Sequence, residues 1–240
     1  MAIKKKVSRK QLLREPDEFL TLSARLFQFV VNHKYQMLAA LCGLILIVLI
    51  ISGWNYYSRQ NADESLAQLQ KSWNRYNTLR SEMNSDPLLA YQEVRSEFEG
   101  LIADFGDKPG GKLARVIFAD ICYEAGEVNQ AIALYQSALD DFSQPFYRNQ
   151  ILNALGYAHE AKREYDKALE YYENIVAGVD PVIKAEALFN MGRLYAELGH
   201  ADKSQQAYQK IVSALPQSFY ADLAMERSGN ITVEPAAAEN

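Results

Sequence analysis

The chain has 240 residues, 49% of them hydrophobic, and its 30 acidic side chains outnumber 25 Lys and Arg to give a net charge of −5. That balance argues against nucleic acid as a partner, because affinity for phosphate backbones comes from Lys and Arg. Two cysteines so far apart offer no disulfide framework, since Cys42 lies in an apolar run and Cys122 on an apolar helix face.

Residues 1–34 hold eight Lys or Arg against three acidic residues, a balance of +5 that leaves −10 for residues 35–240. Pro16 and Asp17 suit the first turn of a helix, and Phe19, Leu22, Leu26, Phe29 and Val30 then recur at three- and four-residue steps. Two readings of this amphipathic stretch stay open. It can lie on the inner leaflet with its basic residues on lipid headgroups, or it can extend the apolar helix that follows.

Residues 35–58 carry no charge, and Met37 to Ile51 contains ten Leu, Ile or Val. Twenty residues rise about 30 Å, the hydrocarbon thickness of a bilayer. Those ten side chains favour insertion by about 4 kcal/mol in total. Trp54, Tyr56 and Tyr57 form an aromatic belt at one end. Small residues suited to a signal-peptide cleavage site are missing after Gly53, and Cys42 sits too early in the run to be a lipoprotein cysteine. The expectation is an uncleaved transmembrane helix, with the basic N-terminus cytoplasmic and the acidic remainder across the membrane.

Residues 59–111 read as a leading helical hairpin. Leu66, Leu69, Trp73 and Tyr76 share one face, Asp86 and Pro87 open a second helix, and Pro109, Gly110 and Gly111 act as a breaker. No alternating strand pattern appears, so the fold class is all-α. Beyond this point a period emerges. Pro109, Pro145, Pro181 and Pro216 are spaced by 36, 36 and 35 residues. Ala131 and Tyr135, Ala168 and Tyr172, and Ser204 and Tyr208 recur with them, as do Phe118-Ala119, Leu155-Gly156 and Met191-Gly192. These positions resemble the tetratricopeptide repeat (TPR), a helix-turn-helix unit of about 34 residues. The resemblance implies an α-solenoid of three repeats over 112–220, with a proline ending the second helix of each unit. It also implies a capping helix at 221–228, where Phe219, Leu223 and Ala224 pack back, and a disordered tail at 229–240.

A search for chemistry returns nothing. His33, His159 and His200 are scattered, neither HExxH nor CxxC occurs, and Gly110-Gly111 lacks the Lys-Ser/Thr of a phosphate loop. The sequon Asn230-Ile231-Thr232 is read as chance. No catalytic residue, cofactor or metal is expected, and the chain is not read as an enzyme.

The TPR resemblance instead implies a protein-binding groove lined by the first helix of each repeat. Its positions here are Val116, Asp120 and Tyr123, then Asn153, Tyr157 and Glu160, then Phe189, Arg193 and Glu197. Aromatic anchors among acidic groups suit peptide segments, with Tyr157 and Phe189 as principal contacts. A carboxylate clamp needs Lys and Asn where Val116, Asp120, Tyr157 and Phe189 stand, which disfavours a C-terminal carboxylate ligand. In its whole architecture the chain is similar to the ancillary SecYEG translocon subunits of bacterial inner membranes, and Gly53-Trp54-x-Tyr56 looks like that family's junction. This implies a periplasm-facing scaffold meeting exported clients, SecYEG and periplasmic chaperones. Two alternatives remain: a structural organiser of an envelope or cell-division complex, and an anchor that forms a homo-oligomer through its repeats.

Overall fold

The structure, a computed structural model, describes residues 18–82 and 86–229. The basic residues 4–14, the stretch 83–85 and the tail beyond Gly229 lie outside the described residues, as do the side chains of Phe19, Leu22 and Leu26. All regular structure among the described residues is helical, without a strand. The chain divides into two compact units, Met1–Arg59 and Gln60–Asn240.

In the first unit, helix α1 (Glu18–Asn32) is followed by the start of α2 (Lys34–Glu82). Main-chain bonds from His33 N to Phe29 O (3.0 Å) and from Met37 N to His33 O (2.9 Å) carry the helical pattern through His33. The His33 ring stacks on Phe29 at 4.4 Å. The apolar window of α2 has a mean hydropathy of 2.6 and is entirely unburied, with Ile50 70% exposed. By length and composition α2 is able to cross a membrane.

The second unit begins within α2 and continues with α3 (Pro87–Phe105), α4 (Pro109–Glu124), α5 (Val128–Ala138), α6 (Pro145–Ala161), α7 (Tyr165–Val176), α8 (Pro181–Glu197), α9 (Ala201–Ala214) and α10 (Tyr220–Gly229). Contrary to expectation, three of the four periodic prolines open helices. Pro109, Pro145 and Pro181 stand in the first turns of α4, α6 and α8, as Pro87 does in α3 in line with expectation, while Pro216 lies just past the end of α9, the place expected of all four periodic prolines. A first-turn proline has a preset φ and lacks an N–H that would have no helical partner there. Asp86 and Asp180 cap two of these starts, accepting from Leu88 N at 2.9 Å and Val182 N at 3.0 Å.

The turn inside each repeat is closed by the same backbone bond. Glu127 N reaches Cys122 O at 2.8 Å, Glu164 N reaches His159 O at 2.9 Å, and His200 N reaches Tyr195 O at 2.7 Å. Each turn needs one residue with positive φ: Gly126 (84°), Arg163 (59°) and Gly199 (77°). Within the repeats, Gly156 and Gly192 face the rings of Tyr172 and Tyr208, and a Cβ at Gly192 would lie 2.7 Å from its ring. Ser204 stands where Ala is usual, and its buried hydroxyl donates to Gly192 O at 2.6 Å.

Gly110 and Gly111 are buried in the first turn of α4 and are not a turn. A Cβ on Gly110 would overlap the backbone of Ser65, and one on Gly111 the carbonyl of Phe105. Ser65 is itself buried, and its hydroxyl accepts from Gly110 N at 3.1 Å. At the other end, Ala221 and Ala224 of α10 are buried against the last repeat. Phe219 departs from the expected cap. It precedes the helix and is 82% exposed, and Tyr220 supplies the ring that packs on Phe189 at 5.3 Å.

Candidate peptide-binding groove

The first helices of the repeats bring some of the predicted groove residues together and separate others. Val116 and Asp120 from α4 and Asn153 and Tyr157 from α6 line one open cavity of about 280 Å³. Its apolar lining includes Ile117, Phe142, Tyr147 and Ile151. Tyr123, further along α4, is not among the lining residues and is 36% exposed.

Asp120, Asn153 and Tyr157 are each held by a neighbour. Tyr135 of α5 donates its hydroxyl to Asp120. Asp120 stays open to solvent along one edge, yet the surrounding protein raises its carboxyl above the usual carboxylate range, against the opposing pull of the Tyr135 hydrogen bond. Glu186 of α8 accepts from Asn153 Nδ2 at 2.9 Å and from the Tyr157 hydroxyl at 3.0 Å. Asn190 donates to the same phenol oxygen at 2.9 Å. Burial foremost pushes the Tyr157 phenol up to about 12, with Glu186 adding to it and Asn190 opposing. Tyr157 is thus a fixed neutral donor at any physiological pH.

The remaining predicted residues serve the joints between helices. Glu160 accepts from the Tyr172 hydroxyl at 2.6 Å and pairs with Arg193, tying α6, α7 and α8. Phe189 packs between Tyr208 at 5.5 Å and Tyr220 at 5.3 Å, in the cluster under α10. Glu197 accepts from the Tyr165 hydroxyl at 2.7 Å.

Repeat register did not point to Phe142, Tyr147 or Glu186. Phe142 lies in the connector before α6, where helical register says nothing of direction, although two aromatics beside the Pro145 start were a visible signal. Burial pushes the Cys122 thiol up to about 12, so it is held protonated in the core. Among the described residues no three His, Cys, Asp or Glu stand together as metal ligands.

Among solved structures, a tetratricopeptide repeat protein from Parabacteroides merdae matches at 20% identity with a TM-score of 0.52, over 69% of this chain and 58% of that one. The chain therefore spans less than two thirds of that protein's length, and the likeness is one of fold. BtubC from P. vanneervenii matches at 11% identity with a TM-score of 0.47, over 76% of this chain and 96% of that one. No curated protein matches the chain. Stacked helical hairpins of this kind are protein-interaction surfaces. The family model described as a tetratricopeptide repeat-like domain matches residues 33–227, most of the sequence, and the chain belongs to that family.

Proposed function

We propose that the protein is a membrane-anchored scaffold that holds segments of other proteins in the cavity between α4 and α6. The observation that carries this reading is the cavity itself, where apolar walls stand beside a few convergent polar groups fixed by their neighbours. The unburied apolar stretch of α2 supports the anchor, and the basic balance of residues 1–34 supports a cytoplasmic N-terminus with the repeats on the far side. The Gly53-Trp54-x-Tyr56 junction supports a place beside the Sec translocon of a bacterial inner membrane, with exported chains or periplasmic chaperones as partners.

The test has two arms. In spheroplasts, added protease should digest the chain beyond Arg59 and spare the N-terminal 34 residues. A photo-reactive residue at Tyr147, a half-exposed cavity side chain, should crosslink to SecYEG and to many exported chains in the living cell. Protection of the repeats from protease would sink the topology. A single stoichiometric partner would favour a structural organiser, and self-crosslinks an oligomerising anchor.

A further inference from the structure

The charges and donors of the same cavity select among peptides, an inference that rests on the peptide-holding reading. Asp120 is the sole ionisable carboxyl in the lining, and no Lys, Arg or His stands with it. A carboxylate can accept several hydrogen bonds, and Tyr135 supplies one of them. Asn153 is 6% exposed, and its Nδ2 donates to Glu186, an acceptor-only partner that fixes which way the amide is turned and leaves Oδ1 shielded behind the lining.

Around this carboxylate the walls are apolar. Val116, Ile117 and Ile151 offer aliphatic surface, and Phe142 and Tyr147 offer aromatic rings whose faces attract cations. Residues 35–240 carry a net −10, so the wider field also draws positive charge.

We propose that the cavity takes an extended peptide segment in which a Lys or Arg neighbours a Leu, Val or Phe. The cation pairs with Asp120, and the apolar side chain fills the cavity. An acidic segment or a chain-terminal carboxylate is repelled by the same groups.

The experiment uses the full chain in phosphatidylcholine nanodiscs and two fluorescent, unstructured peptides, one alternating Lys with Leu and the other Glu with Leu. The Lys peptide should bind in a salt-sensitive manner, at least about tenfold tighter than the Glu peptide. Asp120→Asn keeps an acceptor for Tyr135 and should weaken the Lys peptide by about tenfold. Gln150→Glu places a second negative charge in the lining and should strengthen it by about threefold, a gain that no folding defect can mimic. If the two peptides bind alike, or if neither variant moves the affinity, the charge rule is wrong although the cavity still holds peptides. If neither peptide binds, nor crosslinks to a photo-reactive residue at Tyr147, the peptide-holding reading falls with it.

Discussion

Two joints between helices both use glycine, and they use it for different reasons. Where the end of α3 and the α2 segment meet α4, Gly110 and Gly111 lie against main chain, the backbone of Ser65 and the carbonyl of Phe105. Where α6 meets α7, Gly156 lies against a ring, that of Tyr172. Main chain in a helix cannot retreat without losing hydrogen bonds, whereas a ring can tilt. A glycine against backbone is therefore a stricter requirement than a glycine against a side chain, even though both are buried. The leading hairpin, least like the repeat in sequence, is docked by the less forgiving contact.

That contrast breaks or sharpens under substitution, and the largest effect is expected at the leading joint. Gly111→Ala should lower the unfolding free energy by about 3 kcal/mol or more, read from chemical denaturation of the full chain. Gly156→Ala should cost less, about 1 to 3 kcal/mol, and combining it with Tyr172→Leu should cost less than the two single losses together. Equal losses for Gly111→Ala and Gly156→Ala would erase the distinction between the joints.

Smaller effects sharpen the description of the middle repeat. Tyr172→Phe keeps the wedge and removes the hydroxyl that donates to Glu160, so a loss of about 1 kcal/mol is expected. Glu164, at the turn between α6 and α7, is held at about 2 by Lys162 first and by His159 and Lys167 after it, below its ordinary 4.5. The folded value lies below the unfolded one, so its stabilisation is present above pH 4.5 and fades as pH falls toward 2. Glu164→Gln should flatten acid destabilisation in that window, and an unchanged acid limb would contradict the assignment. Arg163 is the one non-glycine among the three positive-φ turn residues. Arg163→Gly should raise stability by less than about 1 kcal/mol, the strain relieved being partly offset by the entropy of glycine.

The helices and their period were readable in the chain because apolar spacing and recurrent Ala, Tyr and Pro are local signals. Which end of a helix a proline marks was not. Proline fits both the first turn and the stretch just past a helix end, so the 36-residue spacing of Pro109 and Pro145 is the same under either reading. The pair Gly110-Gly111 has a turn's composition, and its place inside a helix is explained by the approach of Ser65, 45 residues earlier, to Gly110 and of the Phe105 carbonyl to Gly111. Register pointed to Val116, Asp120, Asn153 and Tyr157, which the fold does gather. At Phe189 the same register leads elsewhere. The third repeat is followed by the capping helix α10, and its equivalent position packs under that helix.

The tyrosines of the second helices also bear on how such a chain can change over generations. Tyr135 and Tyr172 each send a core hydroxyl to an acidic side chain of the first helix, Asp120 and Glu160. Losing the acid alone strands a buried phenol, so the pair is expected to drift together: homologues with Phe at either tyrosine should tolerate neutral residues at its acidic partner. A side-chain oxygen acceptor at these two positions is then inherited as a condition of folding, and sequence variation at Asp120 and Glu160 will follow the tyrosines at least as closely as it follows any ligand.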